Sequence, residues 1–150
     1  MKIRFAALAA VTGISSVLAL SAPALAAQPA ETDIQVAQPA DASAAADYTL
    51  CATIYTNGTA AGRGCFSSYG DKFTMDDYKA DGLRVVAEWY TDYGRSGECH
   101  YTAGADADPG VCNYDMREDG KVNFRVAVRN GADAANSAAT SWSGYVPIGG

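Results

Sequence analysis

His100 is the only histidine in a chain of 150 residues, so any Ser-His-Asp or Cys-His nucleophilic site would have to be built around it. It stands beside Cys99 at a candidate hairpin, and no motif marks a serine as its partner. An incidental or structural histidine is the simpler reading. Glycoside hydrolysis would need a pair of carboxyl groups across a cleft. Glu88, Glu98 and Glu118 are the only glutamates outside the N-terminal third. A small sandwich rarely encloses such a cleft. The chain therefore reads as non-enzymatic, with no catalytic residues and no cofactor to assign. A small hydrolase is the alternative.

Metal chemistry has little to work with. Cys51, Cys65, Cys99 and Cys112 are spaced by 14, 34 and 13 positions, with no Cys-x-x-Cys knuckle. Asp77-x-Lys79-x-Asp81-Gly82, with Glu88 six residues after the glycine, has the outline of a calcium loop. Lys79, however, stands where an oxygen ligand is required. Asp106, Asp108, Asp115, Glu118 and Asp119 could form a looser acidic site, but a solvated acidic loop explains them more simply. No metal is assigned.

Binding has more material. Tyr55, Tyr69, Tyr90, Tyr93, Tyr101, Tyr114 and Tyr145 exceed what a core of this size needs. Exposed tyrosines on a rigid sheet offer contact surface at low entropic cost. Tyr90, Tyr93, Tyr101 and Tyr114 are the candidate binding surface. Cross-strand aromatic packing is the competing explanation for any one of them.

These residues need strands to hold them. Lys121–Arg129 alternates Val122, Phe124, Val126 and Val128 with Asn123, Arg125, Ala127 and Arg129, the period of a strand. Residues 82–92 repeat the pattern, with Leu83, Val85, Ala87 and Trp89 on one face. Tyr48, Leu50, Ala52 and Ile54, then Phe73 and Met75, give weaker inward sets. Asn57-Gly58, Asp81-Gly82, Asp119-Gly120 and Asn130-Gly131 supply turns. No stretch after Ala46 carries a helical stripe, and 132–139 reads as a loop. The expected fold is all-β: a small antiparallel two-layer β-sandwich, immunoglobulin-like (Ig-like), of about seven to eight short strands.

Four cysteines allow three disulfide connectivities. Cys51–Cys65 and Cys99–Cys112 each span a candidate hairpin and are preferred. A sheet-to-sheet bridge such as Cys51–Cys99 is the rival.

The N-terminal third reads differently. Met1-Lys2-Ile3-Arg4, an apolar run from Phe5 to Leu20 and Ala24-Leu25-Ala26 are the parts of a secretory signal peptide over 1–26. The run is too short and too diluted to span a bilayer. Residues 27–46 are Ala- and Pro-rich, with only Ile34 and Val36 as large aliphatics, and read as a disordered spacer. Residues 47–150 form the expected disulfide-stabilised β-sandwich domain. The net charge of -6 argues against nucleic acid and anionic membrane as partners after signal cleavage. A monomer is expected.

The run Cys65-Phe66-Ser67-Ser68-Tyr69-Gly70-Asp71-Lys72-Phe73-Thr74-Met75-Asp76-Asp77 and its continuation from Ala80 to Trp89 resemble a group of small secreted actinobacterial proteins. So do Gly94-Arg95-Ser96-Gly97-Glu98-Cys99, Cys112-Asn113-Tyr114-Asp115 and Val122-Asn123-Phe124-Arg125-Val126. The resemblance covers about Cys65 to Tyr145 and implies a β-sandwich of uncharacterised function behind a signal peptide. It favours Cys99–Cys112 as a local pair. Many such chains carry a further cysteine pair across the last two strands. None lies in 127–139 here, so the last strand, around 141–146, is expected to be held without that clamp. The reading is a secreted, extracellular, acidic protein that binds an extracellular protein or cell-wall polymer, or is structural. A secreted inhibitor or antagonistic effector is the alternative.

Overall fold

The computed structural model describes residues 32–39 and 50–149, and the signal peptide and most of the expected spacer lie outside them. Every regular element among the described residues is a strand. In one sheet β1 (Thr32–Val36), β7 (Ser96–Tyr101), β6 (Arg84–Thr91), β9 (Lys121–Arg129) and β10 (Asn136–Ala139) lie side by side, with β11 (Val146–Pro147) further along β9. The second sheet runs β2 (Gln38–Pro39), β8 (Gly110–Asn113), β5 (Lys72–Asp77), β4 (Thr59–Ser67), β3 (Leu50–Thr56). We call them the first and second sheets.

Alternation decides what each sheet buries. Val85, Ala87 and Trp89 of β6 and Val122, Phe124, Val126 and Val128 of β9 point inward and are buried. They meet Ile54, Phe66, Phe73 and Met75 of the second sheet. Phe73 sits at the centre, with its ring centroid 5.1 Å from Phe66, 5.4 Å from Phe124 and 6.4 Å from Trp89. Each such side chain contributes roughly 1.5–3 kcal/mol on burial. Close approach of the sheets requires small residues on β4. A Cβ on Gly62 would fall 2.4 Å from Val85 Cγ2, and one on Gly64 would fall 2.8 Å from Val126 Cγ2. The β3–β4 turn is the expected Asn-Gly turn, with φ of 52° at Asn57 and 77° at Gly58.

Both disulfides are the local pairs, but they do different jobs. Cys51 and Cys65 are opposite each other in the β3–β4 ladder, with Cα atoms 4.0 Å apart. Cys99 lies on β7 and Cys112 on β8, so the second bridge ties one sheet to the other across a buried 5.9 Å Cα separation. Its two strands are therefore not a hairpin, contrary to the sequence expectation. Two disulfides fit an oxidising compartment. No helix among the described residues is long and apolar enough to cross a membrane.

Two other expectations need correcting. Residues 32–39, inside the supposed disordered spacer, form β1 and β2. β1 pairs in parallel with β7, and β2 pairs with β8, so this segment closes one edge of both sheets. Its order comes from partners 60 to 80 positions away in sequence, which composition cannot register. They include an ion pair from Arg95 Nη2 to Asp33 Oδ2 of 2.7 Å and a bond from Gln35 Nε2 to Asn113 O of 3.1 Å. Secondly, the described strands number eleven rather than seven or eight: β1, β2 and the short β10 were not anticipated, and β11 is what remains of the last strand expected around 141–146. Residues 136–139, read as a loop, are β10. β3, β4 and β5 are consecutive neighbours in the second sheet.

Candidate functional site

The outer face of the first sheet holds an unusual density of charge for a sheet surface. Glu98, Glu88 and Arg125 stand in one cross-strand row over β7, β6 and β9, and Arg84 and Arg129 are paired in a row further along. Alternation forces this: the residues between the inward Val85, Ala87 and Trp89 must point out.

The row is knitted together. Arg129 Nη2 donates to Glu88 Oε1 and, at 3.2 Å, to Glu98 Oε1. Its Nε donates to Asn136 Oδ1 at 2.9 Å, and Asn136 Nδ2 donates to Glu88 Oε1 at 2.8 Å. Arg125 Nε donates to the other oxygen of Glu88. Burial alone would raise the Glu88 carboxyl. The hydrogen bonds from Asn136 and Arg125, with the charges of Arg125 and Arg129, overcome it and bring the pKa below the ordinary 4.5. Two guanidinium groups thus meet two carboxylates on this face, with Arg84 beside them on β6.

His100 belongs to the same network. It is buried, with Nε2 2.7 Å from Glu98 Oε2 and Nδ1 3.5 Å from Arg84 Nη1. No serine hydroxyl is among its partners. A histidine walled in between a carboxylate and a guanidinium is placed to hold strands together.

The β9 edge positions aromatic residues beside these charges. Beyond β10 the chain keeps to that edge without strand geometry. Thr140 N donates to Val126 O at 2.8 Å while Val126 N donates to Thr140 Oγ1 at 3.0 Å. Ser143 repeats the exchange with Phe124, at 2.8 Å and 3.1 Å. Hydroxyls take the place of backbone carbonyls, so the last strand expected over 141–146 is reduced to β11 at 146–147. The intervening residues are free to turn Trp142 and Tyr145 onto the outer face. There the Tyr90 ring lies edge-on to both, at 4.9 Å from Trp142 and 5.7 Å from Tyr145. The Arg125 guanidinium sits 4.7 Å from the Trp142 ring centre. Asn123 Nδ2 donates to the Tyr90 hydroxyl at 2.7 Å and fixes that ring. Trp142 and Tyr145 remain 40% and 49% exposed. An open aromatic cluster next to a guanidinium can stack a flat or ring-shaped ligand and donate hydrogen bonds to its rim.

No family model, curated protein or solved structure matches the chain.

Of the four tyrosines expected to form a binding surface, only Tyr90 belongs to this cluster. Tyr101 and Tyr114 are core residues, 1% and 3% exposed. The Tyr101 hydroxyl donates to Asp108 O at 2.7 Å, anchoring the β7–β8 loop, and that of Tyr114 donates to Glu98 O at 3.0 Å. Burial pushes both phenols up. Tyr93 lies in the β6–β7 turn, where its hydroxyl accepts the Arg117 N–H at 3.2 Å and its ring carries the Arg117 guanidinium. The four do not make one surface. Trp142 was missed, because a lone tryptophan between serines carries no periodic signal.

The calcium outline also dissolves. Asp77 Oδ1 accepts the Lys79 N–H at 2.9 Å, Lys79 Nζ bonds Thr56 Oγ1 at 2.8 Å, and Glu88 belongs to the outer-face network. Asp106 and Asp108 lie in the loop before β8, whereas Asp115, Glu118 and Asp119 follow it at the other end of that strand. No group of three potential metal ligands is gathered among the described residues. A cleft of about 420 Å³ does open at the first of those ends, lined by Asp77, Leu83, Arg84, Tyr101, Asp106 and Asn130.

Proposed function

We propose that this chain is a secreted, non-enzymatic binding protein that recognises a cell-wall glycan through Tyr90, Trp142 and Tyr145. The observation that carries the reading is the cluster itself: two large aromatic side chains left open to solvent, held edge-on to a third ring that is hydrogen-bonded in place. Sugar rings present flat C–H faces that pack on aromatic faces, and a preformed site avoids the entropy of ordering its side chains. The signal-peptide pattern and the two disulfides, which suit an oxidising compartment, support a ligand outside the cell. The walled-in His100 and the arginine-bound Glu88 and Glu98 favour binding over hydrolysis.

Sedimentation with insoluble wall polysaccharide tests this directly. Wild type is expected to partition to the pellet, and Trp142→Ala or Tyr145→Ala to remain in solution with unchanged melting temperature. Equal partition of wild type and Trp142→Ala would overturn the reading.

A further inference from the structure

The site's electrostatics say more about the ligand than its aromatic rings do. The outer face of the first sheet sets Arg84, Arg125 and Arg129 against Glu88 and Glu98, one positive charge in excess. The chain as a whole carries -6. The aromatic cluster thus adjoins a locally positive patch on an acidic protein.

Arg125 is the guanidinium of this set that borders the aromatic cluster. Arg129 is buried and spends Nε, Nη1 and Nη2 on Asn136, Ala132, Glu88 and Glu98. Arg125 bonds Glu88 through Nε alone, and neither of its terminal nitrogens makes a hydrogen bond among the described residues. Its side chain is 31% exposed and lies against Trp142. Glu88, its partner, also accepts from Arg129, and Arg125 holds that carboxylate through Nε only, which leaves its terminal N–H groups for a ligand. A ligand stacked on Trp142 would find two guanidinium N–H groups within the same site, in the fork geometry that suits a carboxylate or phosphate.

We infer that the glycan carries an isolated acidic group, a carboxylate or a phosphate, on the sugar that stacks at Trp142, and that Arg125 reads it. The group is isolated because the protein's overall negative charge repels a dense polyanion, while a single charge at contact distance feels mainly the local patch. This inference rests on the glycan reading, and the experiment separates the two.

The probes are chitobiose, the disaccharide of N-acetylglucosamine and N-acetylmuramic acid, which adds one lactyl carboxylate, and chitobiose bearing one phosphate monoester. Each is titrated into the full protein and followed by the fluorescence of the tryptophans and by calorimetry. Wild type is expected to bind at least one acidic probe about ten-fold more tightly than chitobiose. Preference for the lactyl probe alone assigns the group as a carboxylate, for the phosphorylated probe alone as a phosphate ester, and for both as their shared charge. Arg125→Gln is expected to bring the acidic probes to the affinity of chitobiose, and Arg125→Lys to restore part of the preference. Trp142→Ala is expected to lose all three. If wild type binds chitobiose as tightly as both acidic probes, the inference is overturned and the glycan reading stands. If no probe binds and wall polysaccharide does not sediment the protein, both fall.

Discussion

The two sheets bury similar inner faces but protect their outer faces in opposite ways. The second sheet presents Thr53, Tyr55, Arg63 and Asp76 outward, with the Cys51–Cys65 bridge and an ion pair from Arg63 to Asp76 at 2.7 Å. That arginine is 46% exposed, so water solvates its guanidinium although Asp76 itself is buried. The first sheet gathers its charges into one network and partly covers them with the run from β10 to β11. The difference follows from a few residues: Glu88, Glu98, Arg125 and Arg129 take the outward positions on the sheet's central strands. Charges crowded on a half-covered surface must satisfy one another, which makes that face rigid. A rigid face is where an exposed tryptophan and tyrosine can be held in one geometry.

The largest test of the contrast is covalent. The two disulfides close loops of 14 and 13 residues, so in the chain-entropy model each contributes about 3 kcal/mol. The native contexts are unequal. Cys99 and Cys112 are buried between the sheets, whereas Cys51 lies on the exposed side of the second sheet. Replacing Cys99 and Cys112 by alanine is expected to cost about 4 kcal/mol in urea denaturation, the extra coming from the cavity left in the core. Cys51→Ser with Cys65→Ser is expected to cost about 3 kcal/mol. Mild reductant, followed by alkylation and peptide mapping, should open Cys51–Cys65 first. Opening of Cys99–Cys112 first would mean that the seam between the sheets is looser than its burial implies.

Next in size comes the charge network. Glu88→Ala leaves half-buried Arg125 without a carboxylate and buried Arg129 with Glu98 alone, and is expected to cost about 3 kcal/mol. Asp76→Ala leaves only the half-exposed Arg63 guanidinium, which water can solvate, and is expected to cost less, about 1 kcal/mol. Equal losses would remove the distinction between the faces. Glu88→Ala should also weaken glycan retention, because Arg125 loses the contact that fixes it against Trp142.

How far the sequence reveals this contrast depends on the range of the contacts involved. The alternation of 121–129 and 82–92 identified the two central strands of the first sheet, and with them the outward Glu88 and Arg125. A single strand carries that information. Tyr101 and Tyr114 were misplaced because the face each takes depends on how β7 and β8 are divided between sheets, a matter of tertiary pairing. β1 and β2 were read as spacer for the same reason: their apolar Ile34 and Val36 point to solvent, while Asp33 and Gln35 make the contacts. A pattern that puts polar groups on the bonded side looks like disorder until the partner strand is known. The aromatic cluster was half legible. Tyr90 came from the strand pattern, but Trp142 was placed by hydroxyl-to-backbone bonds that no period announces.

The smallest expected effect separates the sheets by sign. Glu88 is held below its ordinary 4.5, so the folded chain binds its proton more weakly than the unfolded chain does. The stability it supplies is complete above pH 4.5 and is lost as pH falls through the lowered value. Asp77, at the end of β5 in the second sheet, is displaced the other way. Burial raises it above 3.8, the Lys79 backbone N–H opposes that, and Asp81 reinforces it. The folded chain binds this proton more strongly, so stability declines as pH rises from 3.8 through the raised value. Urea midpoints between pH 3 and 6 should therefore respond oppositely to two neutral replacements. Glu88→Gln is expected to flatten the acid-side loss, and Asp77→Asn to steepen the rise of stability with pH by removing a contribution of opposite slope. If both variants changed the profile in the same direction, the two carboxylates would share one electrostatic environment, and the division of the molecule into a networked and a plain face would fail at its most sensitive point.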